Sequence, residues 1–256
     1  MKKVVDLNSD LGESFGAYRM GMDEEVLSFV SSANIACGYH AGDPLIMDQT
    51  VEIAREKGVA LGAHPAYPDL MGFGRRKMDL SPKENYAYVL YQLGALSAFA
   101  RAHGARLQHV KAHGAMYNAA SDHEDLARGI IEAALAFDSD LLILCRSLSP
   151  MAKLGEKMGA RIAQEVFADR AYHVDGSLVS RKEKGAVIQD EEEVIQRAKR
   201  MVLQNEVETI EGERIPIQAD SICVHGDNPQ AVRFVQKIRQ ALEAEGVEIR
   251  PLGEFL

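Results

Sequence analysis

The sequence predicts an α/β protein with a parallel sheet covered by helices. Three observations lead there. Short apolar runs alternate with amphipathic helical stretches from one end of the chain to the other, with no run of strands alone. Four of the apolar runs finish at or just before a histidine: His40, His64, His113 and His225. Within the runs, the residues in phase with the terminal one are polar or small and the alternate set is aliphatic, which is the period-two signature of a strand with two unlike faces. A closed barrel and an open doubly wound sheet both fit the alternation. In a barrel, the polar or small face would point inward and the helices would cover the aliphatic one.

The strands are expected at residues 3–9, 33–38, 59–63, 107–112, 140–145, 160–167 and 221–224, with 247–250 as a short eighth. Helix starts follow several of them. Asp43-Pro44, Ser81-Pro82, Ser149-Pro150 and Asn228-Pro229 each set a capping side chain before a proline at the first helical position. Ser81 and Glu84 have capping-box spacing. In 190–204, Val194, Ile195, Ala198, Met201 and Val202 share one helical face, and Val232, Val235, Ile238 and Leu242 form a similar stripe further on. The stretch 208–217 reads as a hairpin turning near Glu211 and Gly212, an excursion of about residues 206–219 from the main body.

With 256 residues the chain could hold one large domain or two small ones. No Pro/Ser-rich linker or shift in composition divides it, so one domain over 1–256 is expected. A hydrophobic fraction of 46% with 26% charged residues is that of a globular protein and excludes disorder. The net charge of -9 argues against a nucleic-acid partner, and the longest basic run is only Arg75-Arg76-Lys77. Cys37, Cys145 and Cys223 are odd in number and form no CxxC pair, so reduced thiols and a cytoplasmic location are expected. Asp6, Asn8 and Asp10 interrupt any apolar signal region, and no apolar stretch is long enough to span a membrane.

Counting backwards by twos from each strand end gives the faces Asp6/Asn8/Asp10, Ala36/Gly38/His40, Ala60/Gly62/His64, His109/Lys111/His113, Glu165/Phe167/Asp169 and Ser221/Cys223/His225. Active sites of β/α barrels lie at the C-terminal ends of the strands. One histidine there is weak evidence, because a strand-end histidine often only hydrogen-bonds a loop. Four at the same topological position make a site of histidines and carboxylates the stronger reading. His109 could be a buried histidine beneath it, and His103 and His123 fall on helical segments. Lys111, in phase with two histidines, needs a carboxylate partner, for which Asp10, Glu13 and Glu165 are candidates. A structural ion pair inside the barrel is the plainer alternative. Glycine loops follow the first and third strands. No Walker sequence or G-x-G-x-x-G after a strand occurs, so a P-loop nucleotide site is not expected on this chain. Arg75 or Arg76 could hold a substrate carboxylate in a fork. A divalent metal could sit at Asp10 with two histidines, His40 and His64 foremost.

At these residues the chain resembles the LamB/YcsF family. The matching stretches are DLNSDLGESFG (6–16), ANIACGYHAGD (33–43), GAHPAYPD (62–69) with GFGRR (72–76), VKAHGAMY (110–117), DRAY (169–172) with Asp175-Gly176, and VHGD (224–227). They run in order along nearly the whole chain. The resemblance implies a distorted TIM barrel of the (β/α)7 type, related to the glycoside hydrolase/deacetylase barrels. It also implies hydrolysis of the lactam ring of 5-oxoproline to L-glutamate, driven by ATP, in a complex with partner subunits B and C that supply the ATP-dependent step. The expected catalytic residues are Asp10, Glu13, His40, His64, Lys111, His113, Asp169 and His225. The expected substrate-binding residues are Asn8, Arg75, Tyr117 and Asp227. A stand-alone metal-dependent deacetylase or amidohydrolase, and a non-catalytic lactam-binding subunit, are the alternatives.

Overall fold

The computed structural model describes residues 3–225 and 229–256. The Asn228 cap and Asp227 lie outside the described residues. Seven parallel strands close on themselves: β1 (Val4–Leu11), β2 (Ser32–Ala36), β3 (Ala60–His64), β4 (Leu107–Val110), β5 (Leu142–Arg146), β6 (Arg161–Phe167) and, after a long connection, β9 (Ser221–Cys223). Closure comes from β9, which pairs with β6 on one side and with β1 on the other. The connections are helical: α1 (Asp23–Val26), α2 (Pro44–Glu56), α3 (Pro82–Ala102), α4 (Gly114–Asp122), α5 (Glu124–Phe137) and α6 (Pro150–Lys157). The chain is thus a closed parallel β/α barrel.

The starts of the helices follow their sequence signals. Asp43 accepts the amides of Leu45 and Ile46 at 2.9 and 3.1 Å, and its other oxygen holds Gly16 N in the loop after β1. Ser81 and Glu84 form the reciprocal capping box. The aliphatic strand faces, with Leu7, Ile35, Ala63, Val110, Ile143 and Ile222, pack under the helices in the main core. No helix among the described residues is long and apolar enough to cross a membrane. The three cysteines are free and buried.

Three boundaries differ from expectation in ways that matter for the site. β1 runs to Leu11 rather than residue 9, so Asp10 sits on the strand itself. β2 stops at Ala36, and Gly38 turns the chain at φ 92°, closed by Gly38 N to Ala41 O at 2.9 Å. His40 therefore approaches from a turn, not from the strand face that counting by twos assigned to it. β4 stops at Val110, but Lys111 N and His113 N still bond Ala63 O and Pro65 O, at 2.9 and 2.8 Å, which preserves the alternation past the formal strand end.

The eighth expected strand is β10 (Glu248–Ile249), which pairs with the start of β1 outside the ring. Beyond it the chain turns across the barrel's N-terminal end. Leu252 is buried against Leu142, Leu144 and Ala163, with Phe255 beside it. The excursion after β6 holds α7 (Glu191–Gln204), capped by Asp190, and an antiparallel hairpin of β7 (Glu206–Glu208) and β8 (Arg214–Pro216). Arg197 ties it to the barrel by donating to Ala168 O, Arg170 O and Glu208 O. The last helix, α8 (Pro229–Ala244), buries Val232, Val235, Ile238 and Leu242.

Candidate active site

The barrel interior is polar on one side, and its hydrogen bonds all run one way. His109 Nε2 donates to Asn34 Oδ1 at 2.7 Å, and Asn34 Nδ2 donates to Asn8 Oδ1 at 2.7 Å. Asn8 Nδ2 donates to Ser221 Oγ at 2.7 Å, and Ser221 donates to Asp6. Ser31 and Ser32 hydroxyls complete the shell of Asp6, each at 2.6 Å from Oδ1. The column is satisfied because β1, β2, β4 and β9 offer polar side chains inward and β3 the small Gly62, as buried polar groups require. Burial still pushes the Asp6 carboxyl up to about 6, and it pushes His109 down to about 3, so His109 is neutral. Gly62 makes room for that ring: a Cβ there would lie 2.0 Å from His109 Nε2.

Lys111 stands on top of this column, 3% exposed. Its Nζ lies 3.0 Å from Asp10 Oδ1 and 2.7 Å from Glu165 Oε1, with Asn8 Oδ1 at 3.2 Å and Cys223 Sγ at 3.3 Å. Burial alone would strip its proton. Asp10, Cys223 and Glu165 outweigh burial and hold Lys111 well above the usual lysine range. Asp10 is the mirror case. Burial would raise it, but the His64 and Lys111 side chains hold it well below the usual carboxylate range, so it is anionic. Asn34 Nδ2 fixes it further at 2.8 Å. Tyr117 donates to the other oxygen of Glu165 at 2.7 Å, and burial followed by the Glu165 charge keeps that phenol protonated.

Three imidazoles and a carboxylate form a corner beside Asp10. His64 donates from Nδ1 to Lys111 O at 2.7 Å, and His113 donates from Nε2 to Phe73 O at 2.9 Å. Their other nitrogens, His64 Nε2 and His113 Nδ1, face each other at 3.0 Å. His40 stacks on His113 with ring centroids 3.8 Å apart and meets Glu13 Oε1 from Nε2 at 3.0 Å. Glu13 Oε1 is also 3.5 Å from His113 Nδ1, and Asp10 Oδ2 is 3.4 Å from His64 Nε2. Burial, then the neighbouring histidines, push His113 down to about 2 and His40 well below the usual range.

These groups open onto a cavity of about 480 Å³ at the C-terminal ends of the strands, the usual size for a small-molecule site. Of the residues expected from sequence, Asp10, Glu13, His64, Lys111, His113, Asp169, His225, Arg75 and Tyr117 are on its wall. His40 lies behind Glu13, and Asn8 lies under Lys111, neither on the wall. Asp169 and His225 face each other across 3.8 Å, and Asp169 Oδ1 and His225 Nε2 have no hydrogen-bond partner among the described residues. Arg76 turns away to pair with Asp69, leaving Arg75 as the arginine of that loop on the cavity, its guanidinium 5.0 Å over the Phe73 ring.

Sequence reasoning did not assign Arg170, Arg181, Phe167, Cys223 and Asn118 to the wall. Phe167 and Cys223 stood on the inward faces and could have been read from them. Arg170 and Arg181 arrive with the excursion, where no periodic pattern exists to follow. Arg170 is committed to structure, donating to Val179 O and Ala186 O.

The sequence matches the LamB/YcsF family over residues 5–256. It is 57% identical over 252 residues to a Pyrococcus horikoshii protein named as the A component of 5-oxoprolinase, covering 98% of this chain and 99% of that one. A Fusobacterium nucleatum protein of the same name is 54% identical over 256 residues, all of both chains. Among solved structures, a lactam utilization protein from Thermus thermophilus superposes with a TM-score of 0.92 at 47% identity, covering 96% of this chain and 99% of that one. A family 4 carbohydrate esterase from Streptomyces lividans reaches a TM-score of 0.50 at 10% identity, covering 96% and 91%, a likeness of fold alone.

Proposed function

The chain belongs to the LamB/YcsF family, and from that premise we propose that it is the lactam-hydrolysing subunit of an ATP-dependent 5-oxoprolinase. The observation that carries this reading is the full-length likeness, at 54–57% identity, to proteins named as the A component of 5-oxoprolinase. A five-membered lactam is a resonance-stabilised amide. Phosphorylating its oxygen with ATP makes the ring carbon a good electrophile. Water then adds to that carbon, the C–N bond breaks, and the ring nitrogen takes a proton, which leaves an acyl phosphate. A second water hydrolyses it, releasing phosphate and leaving the new carboxyl group of L-glutamate. Partner subunits B and C supply the ATP-dependent step, since this chain carries no P-loop sequence.

The cavity suits the hydrolytic half. Arg75 is placed to hold the substrate carboxylate, with Arg181 on the excursion side of the same cavity. The corner of Asp10, Glu13, His64 and His113 is where water would be held and deprotonated. Asp10 acts there chiefly by orientation and charge, because a carboxylate held so far down is a weak base. Lys111 remains protonated in a dry setting and stabilises negative charge as it develops on the tetrahedral carbon's oxygens. Arg75→Ala should raise KM for 5-oxoproline more than it lowers kcat in the assembled complex. An unchanged KM would remove Arg75 from substrate binding.

The histidine–carboxylate corner also supports a second reading, a metal-dependent amidohydrolase acting alone. ATP-independent hydrolysis of an N-acyl substrate by the purified chain, lost on chelation, would favour it.

A further inference from the structure

The two histidines of the corner are fixed in a way that a hydrogen-bonded pair does not need. Both outer N–H groups are spent on backbone carbonyls, Lys111 O for His64 and Phe73 O for His113. With both rings neutral, two nitrogen lone pairs then face each other 3.0 Å apart, with the rings at 87°. Two lone pairs at that distance repel unless a cation lies among them. Outer N–H groups anchored on carbonyls are the usual support of metal-ligating histidines. A third donor, Glu13 Oε1, is 3.5 Å from His113 Nδ1, and the donor atoms of Glu13, His40, His64 and His113 all lie within 4.8 Å of one another.

We propose that His64 Nε2, His113 Nδ1 and a Glu13 carboxylate oxygen bind one divalent zinc-type cation, with an open position toward the cavity. A tetrahedral ion with bonds near 2.0–2.2 Å holds its ligands roughly 3.3–3.5 Å apart, so the corner need only widen by a few tenths of an ångström. All three ligands line the cavity, which leaves the fourth position to water or substrate. His40 is not a ligand. It lies parallel to His113 at 9°, so its lone pairs cannot converge on the same ion, and it positions Glu13 by donating to Oε1 from Nε2. Asp10 Oδ2, 3.4 Å from His64 Nε2, borders the site and would orient a water at the open position by its charge. The inference does not depend on the substrate, because ion binding is read on the isolated chain.

The test strips the purified chain with a chelator and titrates it with Zn²⁺ by calorimetry and with Co²⁺ by visible absorption. One ion per chain is expected, with a cobalt spectrum of low coordination number and a zinc-dependent rise in Tm. His64→Ala, His113→Ala and Glu13→Gln should each weaken binding roughly 100-fold or more, and His40→Ala roughly 10-fold, as loss of a supporting contact does. His103→Ala and His173→Ala, at residues that pair with Asp48 and Glu211 and are not on the cavity wall, should bind as the parent does. The cobalt spectrum of the unaltered chain decides the matter even where a variant fails to fold. Absence of saturable uptake of either ion by the folded parent chain would overturn the proposal. So would nitrogen-15 spectra showing a single proton shared between His64 and His113 in the presence of zinc. Glutamate formation by the complex is a separate readout, so failure of the metal site leaves the oxoprolinase reading standing.

Discussion

Lys111 shows at the scale of one residue why the interior is built as it is. A buried ammonium between Asp10 Oδ1 and Glu165 Oε1 is weak evidence of net stabilisation, because desolvating all three charges offsets much of their attraction. Removing only the cation is a different matter, since two carboxylates are then left facing each other in a dry site. Lys111→Met should therefore lower the unfolding free energy by about 3–5 kcal/mol at pH 7, measured by urea denaturation. Adding Glu165→Gln to it should recover part of that loss. A Lys111→Met protein as stable as the parent would mean that water reaches the site and the pair is solvated.

At the scale of elements, the strands carry an interlocked interior. Gly62 on β3 lies against the His109 ring on β4, so Gly62→Ala should cost several kcal/mol, the range of overpacking and its knock-on displacements. A Tm within a degree or two of the parent would contradict this packing. The same column sets the acid response. His109 titrates near 3 when folded, against an ordinary value of about 6.5. Its contribution is fully present above 6.5 and falls by about 1.4 kcal/mol per pH unit below that. Asp6 works in the opposite sense. Its folded value of about 6 lies above the ordinary carboxylate value, so its contribution is present at low pH and lost as pH rises through 6. Between about pH 4 and 6 the two slopes oppose each other. Asp6→Asn should steepen the loss of stability on acidification across that window, and His109→Gln should flatten it, each by about 1.4 kcal/mol per pH unit in denaturation at several pH values.

Much of this was legible before the structure. The inward set Asp6/Asn8/Asp10 and the pairing of Lys111 with Asp10 and Glu165 follow from alternation and from the cost of a buried lysine. The limits are equally physical. β5 shows five apolar or charged residues with no histidine at its end, so no face could be chosen, although Leu142 and Leu144 point at the C-terminal plug. The positive φ of Gly38 broke the phase before His40. Glu13 and the two arginines of the excursion reach the cavity through loops, where spacing says nothing about direction. That His64 and His113 would each spend one N–H on a carbonyl depends on chain approaches that no local pattern encodes.

At the scale of the whole molecule, an acidic chain of net charge -9 presents a cavity where Lys111, Arg75 and Arg181 stand among Asp10, Glu13 and Asp169, so that cationic groups are at hand for the anionic substrate proposed above. The C-terminal turn closes the opposite end of the barrel, with Leu252 fully buried and Gly253 N held by Gln108 Oε1 at 2.9 Å. The polar network and the cavity thus share one interior whose two ends have different tasks. The most direct test is to reconstitute the chain with partner subunits B and C and measure ATP-dependent formation of L-glutamate from 5-oxoproline. The complex with the parent chain should form glutamate. Omission of this chain, or its replacement by Lys111→Met, should abolish that. Glutamate formation at the full rate without this chain, or with the Lys111→Met chain, would contradict the account.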